Sequence, residues 1–254
     1  MDKLYLIIFF IFGSVMGSFY HVIATRLSKE QSIIKPSSHC ENCHNKLKWY
    51  ELIPIISYLI QKGKCRHCHA KLPISYLLIE LCTGILFAVC YHVFDLSLEL
   101  IIALIFISSL ITIIISDIEY MIILDEVLIF ASFSIIILDI IDCGLYETAI
   151  KVLAGLGSFA TMYLVKKVGD MMFKQESLGG GDIKLMFLIG LVIGYPMAIC
   201  NIIFATFIAF PIALFLLLFK KDNIIPFGPF LSMSGILLYI WGINFADIIN
   251  FIIS

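Results

Sequence analysis

Two carboxylates and four thiols carry the chemistry this sequence could do. Asp117 follows the apolar run Leu110-Ile-Thr-Ile-Ile-Ile-Ser116, and Asp182 ends Leu178-Gly-Gly-Gly-Asp182 ahead of another apolar stretch. A carboxylate at the edge of hydrocarbon is costly, so each demands a reason. A shared proton would supply one. The ionised member acts as general base on a water while the protonated member polarises a carbonyl, and like-charge repulsion lets acid and base coexist near neutral pH. Gly179, Gly180 and Gly181 suit such a pair, because glycine lets backbone approach closely and adopt φ > 0, leaving room for an extended peptide. Each feature alone has a plainer reading. An aspartate at a helix end is a solvated boundary residue or N-cap, and Gly-Gly-Gly-Asp is a flexible loop ending in an N-cap. Only their coincidence at one membrane depth brings catalysis level with those readings.

The thiols form two CxxC pairs, Cys40-Glu-Asn-Cys43 and Cys65-Arg-His-Cys68, separated by 21 residues. Four thiolates so arranged suit a closed tetrahedral Zn²⁺ site close to zinc-ribbon spacing. A disulfide framework competes, but a cytosolic location keeps thiols reduced. With no open position, such a metal would hold the chain rather than do chemistry. His39, His44, His67 and His69 flank the pairs and could substitute as ligands, but are expected beside the ligands or exposed. Cys82, Cys90, Cys143 and Cys200 sit in or beside apolar stretches and are expected to pack there.

The elements that must position these groups follow from composition. The 254 residues are 61% hydrophobic and 14% charged with a mean hydropathy of +1.04, whereas a soluble domain keeps about a quarter of its residues charged. Apolar stretches near twenty residues recur almost end to end, each able to cross roughly 30 Å of hydrocarbon as a helix. The fold class is therefore all-α: a polytopic membrane protein with about eight transmembrane helices and an insert between helices 1 and 2. Helices are expected at about 4–25, 75–93, 97–116, 122–141, 147–166, 183–195, 197–219 and 228–250. Leu4–Ala24 lacks a basic n-region beyond Lys3 and a clear cleavage site, and reads as a retained first helix.

Lysine and arginine set the orientation. Arg26, Lys29, Lys35, Lys46, Lys48, Lys62, Lys64, Arg66 and Lys71 follow the first helix, and Lys166, Lys167, Lys174, Lys184, Lys220 and Lys221 fall on the same side of an alternating eight-span chain. Only Lys3 and Lys151 lie opposite, so the segment 27–75 is expected in the cytoplasm with both termini outside. Asp117 and Asp182 then share that cytoplasmic face. Among the other acids, Asp125 is expected to cap the fourth span and Glu80 to pair with a lysine of the insert. Asp139, Asp142 and Glu147 are expected in solvent on the outer side.

These residues resemble the type IV prepilin peptidases, of the GxGD class of intramembrane aspartyl proteases, along essentially the whole chain. Gly17-Ser18-Phe19 with Arg26-Leu27 is similar to the family's first-helix motif, and the two CxxC pairs around Pro54-Ile-Ile-Ser57-Tyr58 and Gly63-Lys-Cys65-Arg66 resemble its zinc loop. Ser75-Tyr76 and Glu80-Leu81 resemble the start of its second span. Asp117 with Asp125, Gly179-Gly-Gly-Asp182-Ile-Lys-Leu185, and Pro226-Phe-Gly-Pro-Phe230 complete the series. Two positions depart: His21 stands where the family usually has asparagine, and Leu124 where a proline usually precedes residue 125, so the loop carrying Asp117 is expected to be looser.

The resemblance implies a single membrane domain over 1–254, with a zinc-binding insert at 27–75 and an aspartyl peptidase bundle at 97–254. Asp117 and Asp182 would be the catalytic pair, Gly179, Gly180, Gly181 and Asp125 would shape the site, and Cys40, Cys43, Cys65 and Cys68 would hold structural zinc. Substrates would be prepilin or pseudopilin precursors whose short basic leader is cut just before the hydrophobic helix, commonly after a glycine. Many members also methylate the new N-terminus using S-adenosylmethionine. The implied location is the cell membrane, among lipid and without nucleic acid; the pathway served and the oligomeric state are not legible. An ion-coupled transporter is the main alternative from another class, but it would show internal repeats and polar residues near the bilayer midplane. A scaffold with a partner-binding zinc loop would not require an aspartate after three glycines.

Overall fold

The computed structural model describes residues 2–40, 42–174, 178–218, 225–242 and 245. Lys220 and Lys221, and the last expected helix beyond 242, lie outside the described residues. Two compact units divide the chain, Met1–Leu100 and Ile101–Ser254.

In the first unit, α1 (Asp2–Ser28) and α3 (Ile74–Phe94) lie against each other. Small residues make that approach possible. A Cβ at Gly13 would fall 2.7 Å from Phe87 Cβ, one at Gly17 2.9 Å from Thr83 Oγ1, and one at Gly84 2.5 Å from Ser14 Oγ. Helices in lipid gain little from apolar burial against each other, so close backbone contact across such small-residue seams drives their association. His21 is buried and sets its ring edge-on to Tyr76, centroids 4.1 Å apart. Between the two helices lie the insert and its short helix α2 (Ile56–Ile60). Arg26 Nη1 ties the start of the insert down by donating to the Ser32 carbonyl at 3.2 Å and the Ile33 carbonyl at 2.9 Å. Glu80 does not meet a lysine: its Oε2 accepts the Ile55 N–H at 2.7 Å, and the Ser18 hydroxyl also donates to it.

The second unit contains α5 (Asp125–Asp142), α6 (Gly144–Phe173), α7 (Gly180–Ile193), α8 (Tyr195–Leu218) and α9 (Gly228–Trp241), together with nearly all of α4 (Leu98–Tyr120). Small residues again set the spacing: a Cβ at Gly155 would sit 2.9 Å from the Phe187 carbonyl, and one at Gly190 2.2 Å from Ser158 Oγ. Buried Asn201 donates to the Leu231 carbonyl at 3.2 Å, and Ser234 Oγ donates to the Asn201 carbonyl at 3.3 Å, pinning α8 to α9.

Among the described residues a helix stands at each of the eight expected positions, the last from Gly228 to Trp241. Five of them, again among the described residues, are long and apolar enough to cross a membrane: α1, α3, α4, α6 and α8. The 14 residues of α7 reach only about 21 Å, α9 is equally short, and α5 carries four acids in 18 residues. Helix ends differ from the hydropathy reading because backbone caps, not apolarity, stop a helix. α4 runs through Asp117 to Tyr120 and closes on left-handed Met121, whose N–H donates to the Asp117 carbonyl at 3.0 Å. α6 continues past Lys166 and Lys167 to Phe173, where left-handed Lys174 ends it.

Asp139 is not in solvent. It is 1% exposed and receives Lys151 Nζ at 2.5 Å, a pair near the end of the unit opposite Asp117. A buried carboxylate needs such a partner. Cys90 and Cys200 are buried as expected; Cys82 and Cys143 are instead exposed, and Cys143 Sγ donates to the Asp139 carbonyl at 3.1 Å.

Candidate active site and metal centre

Asp117 and Asp182 come together by convergence of three helix ends. Asp117 lies in the last turn of α4 and Asp182 in the first turn of α7, each 6% exposed. They are near enough to act on each other electrostatically. The third end is α9: the Gly228 N–H donates to the Asp117 carboxylate. A helix N-terminus offers unpaired N–H groups and a favourable dipole to an anion, so α9 holds Asp117 from the front. Asp182 is held within its own helix, because the N–H of the N-cap residue Gly179 donates back to it, as in one half of a capping box. That leaves Asp182 Oδ1 buried with no hydrogen-bond partner among the described residues.

The glycines act through space, not through unusual backbone. Gly179 is the extended N-cap at φ −66°, Gly180 and Gly181 are helical, and none has positive φ. The expectation of φ > 0 fails because α7 begins at Gly180, a turn earlier than hydropathy suggests. A Cβ at Gly181 would lie 2.7 Å from Ile123 Cβ, while one at Gly180 would meet nothing within 4 Å. A Cβ at Gly228 would lie 2.5 Å from Asp117 Oδ2 and 3.1 Å from Ile123 Cδ1. Ile123 therefore wedges between the first turns of α7 and α9. Its position in the short link after α4 gave no sequence signal. Gly228 was legible only as a glycine in a proline-flanked motif, not as a ligand of the carboxylate.

Asp125 does not cap α5. The N-cap is Leu124, without a side-chain bond, and both Asp125 oxygens instead receive Lys184 Nζ at 2.8 and 2.6 Å. That ion pair joins the first turn of α5 to α7 two residues beyond Asp182. Leu124 has φ −75°, the angle a proline would impose, and is buried, so packing fixes the link where a ring would otherwise do so.

The four expected cysteines meet. Their sulfurs all lie within 4.8 Å of one another, with Cys40 to Cys68 at 3.8 Å and Cys43 to Cys65 at 4.0 Å. A tetrahedron with Zn–S near 2.3 Å has edges of about 3.8 Å, so the cluster fits Zn²⁺; disulfide bonds would need sulfurs about 2.05 Å apart. Each CxxC builds the same knuckle. Cys40 N–H donates to the Asn45 carbonyl and His44 N–H to the Cys40 carbonyl; Cys65 N–H donates to the Ala70 carbonyl and His69 N–H to the Cys65 carbonyl. Each turn closes on a left-handed histidine and an isolated bridge, His39 with Lys46 and Lys64 with Lys71. Asn42 Nδ2 donates to Cys68 Sγ at 3.5 Å. With the Ala70 N–H, that lowers the Cys68 thiol, while burial and the neighbouring thiols raise that of Cys43. The four histidines are not in the cluster.

The chain is similar to known proteins along most of its length. The bacterial peptidase A24 N-terminal domain matches residues 11–94, and the type IV leader peptidase family matches residues 104–218. A prepilin leader peptidase/N-methyltransferase of Bacillus subtilis is 37% identical, with 97% of each chain covered. One from Vibrio cholerae is 28% identical over 94% of this chain and 98% of its own, and one from Myxococcus xanthus is 30% identical over 80% and 60%. No solved structure matches the chain significantly. The chain belongs to the type IV leader peptidase family of enzymes.

Proposed function

We propose that this enzyme is a membrane-embedded aspartyl endopeptidase that removes the basic leader from prepilin-like precursors at the cytoplasmic face of the cell membrane, with Asp117 and Asp182 as its catalytic pair. The observation that carries the reading is the convergence of two buried carboxylates, one with an oxygen unpartnered among the described residues, at the ends of three helices. One proton shared between them suffices. The ionised carboxylate takes a proton from water as the water oxygen bonds to the scissile carbonyl carbon, and the protonated partner donates to the carbonyl oxygen. Collapse of the resulting gem-diol breaks the C–N bond as a carboxyl proton passes to the leaving amine. The helix dipole of α9 and the Gly228 N–H keep Asp117 oriented through the cycle.

The cytoplasmic assignment rests on the positive-inside distribution, which gathers fifteen basic residues on one side against Lys3 and Lys151 on the other. The precursor's hydrophobic helix would dock laterally, with its leader in water. Cys40, Cys43, Cys65 and Cys68 would hold Zn²⁺ in a closed site, which supplies folding energy to the insert and no reacting position. The relatives' paired name supports a second activity, transfer of a methyl group from S-adenosylmethionine to the freed N-terminal amine. The test is purified enzyme with a pilin-like precursor in detergent, product masses being read with and without S-adenosylmethionine. Cleavage at the leader junction and an added methyl mass are expected. Intact precursor with the wild-type enzyme would refute the peptidase reading, and an unmethylated product the second activity.

A further inference from the structure

The insert is turned inside out for a water-soluble loop. Trp49 is 77% exposed, and Leu52, Ile53, Ile56, Leu59 and Ile60 are exposed with it. On α2 the exposed residues fall at i, i+3 and i+4, a single helical face. The polar side looks the other way: Tyr58 packs by Gly63 and donates its hydroxyl to the Leu72 carbonyl at 3.3 Å. An apolar face of this kind, left in water, marks an interaction surface.

Two hydrogen bonds fix where that surface lies. Glu80, six residues into α3, takes the Ile55 N–H that immediately precedes α2. Leu72, two residues ahead of α3, takes Tyr58. The 21 residues of α3 span about 31 Å, the thickness of the hydrocarbon core. Ile74 therefore marks the edge of that core, and Glu80 lies about 9 Å inside it. α2 is thus tied to the start of α3 through the Glu80 carboxylate and the Tyr58 hydroxyl, near the level where amphipathic helices sit roughly 5–10 Å into the headgroup and acyl boundary. On α3 itself Ile74, Leu78 and Leu81 are exposed at i, i+4 and i+7, an apolar stripe where the span begins. The same insert carries exposed Lys46, Lys48, Lys62, Lys64, Arg66 and Lys71, a charge suited to anionic headgroups.

We infer that α2 and the Trp49–Ile53 segment form an interfacial membrane anchor, so that the four-cysteine insert lies on the lipid surface with its apolar face among the acyl chains. Glu80 is the buried acceptor that sets the depth.

The chain has two tryptophans, which makes the depth measurable. Trp241→Phe leaves Trp49 as sole reporter. The triple variant Trp49→Phe, Trp241→Phe, Ile60→Trp places the reporter on α2 itself. Each full-length protein is reconstituted into phosphatidylcholine–phosphatidylglycerol vesicles whose acyl chains carry bromine near the headgroup or near the chain end. Expected is quenching of at least about twofold by the shallow bromine, less by the deep one, and shielding from aqueous iodide. Glu80→Gln, which keeps the chain's shape but weakens the charge-assisted bond to Ile55, should reduce the shallow quenching. Reporters that ignore lipid bromine overturn the inference in either form: open to iodide, the face is in water; closed to iodide, it is covered by protein, such as a second copy or the precursor. The readout needs no cleavage, so it fails or succeeds apart from the peptidase reading.

Discussion

The thiol cluster and the carboxylate pair are built by opposite means. Each half of the thiol cluster closes within seven residues, through backbone bonds that repeat at Cys40 and Cys65, and only the meeting of the two knuckles is long-range. The carboxylate pair has almost nothing local. It exists because the ends of α4, α7 and α9, together with Ile123, meet at distances that allow no extra carbon at Gly181 or Gly228. A locally built centre should tolerate changes elsewhere and fail when its ligands go. A convergent one should fail at remote-looking positions too.

The largest effect expected is loss of the carboxylates themselves. Asp117→Asn and Asp182→Asn should each lower cleavage by about 10³-fold or more while membrane insertion persists, because the amide neither accepts the water's proton nor shares one. Full cleavage by either purified variant, read by product mass, would remove the pair from the mechanism.

Next come the glycines, which separate convergence from mere flexibility. Gly228→Ala places a methyl group 2.5 Å from Asp117 Oδ2, and Gly181→Ala drives one into Ile123. Displacing a reacting group by even 1 Å costs about 10²-fold, so both should lose cleavage on that scale, chiefly in kcat. Gly180→Ala has open space and a helical backbone, and should be near neutral in activity. Equal losses at all three positions would mean that the run is needed for flexibility and that the convergence is not the constraint.

The metal comes third. Purified enzyme should carry one Zn²⁺ per chain by elemental analysis, and replacing all four cysteines with serine should remove it and expose the insert to proteolysis. Cleavage should fall less than in Gly228→Ala, since the thiols and the carboxylates belong to different compact units. Undiminished zinc in that variant would put the metal elsewhere. A larger loss of cleavage than at Gly228 would mean the two regions work as one.

What was legible in the sequence follows the same divide. The cysteines announced themselves by type and spacing, because a knuckle is a local object. Asp117 and Asp182 announced themselves by being carboxylates where hydrocarbon begins. The supports of the pair did not, because Gly228 and Ile123 act only once distant helix ends have docked. Asp139 was read as solvated for a similar reason: its partner Lys151 lies twelve residues on, across the α5–α6 turn, and burial of the pair is a property of packing. Helix ends were misplaced where charge and capping disagree, as when α6 carries its helix past Lys166 and Lys167 to a left-handed Lys174.

The smallest effect expected lies at the rim of the convergent site. Asp125 and Lys184 are about half exposed, and such pairs contribute about 0.2–1 kcal/mol. Yet this one links α5 to the turn that presents Asp182, so its contribution should appear in orientation. Asp125→Lys should lower kcat by no more than about fivefold, the rate equivalent of 1 kcal/mol. Adding Lys184→Asp should restore most of the loss by reversing the pair in place, and raised salt should narrow the difference between wild type and the single variant. Recovery in the double variant would identify the bridge itself as a positioning device. A double variant as poor as the sum of its parts would mean that each charge acts alone, and that the convergence of α4, α7 and α9 holds the carboxylates without a strut at its edge.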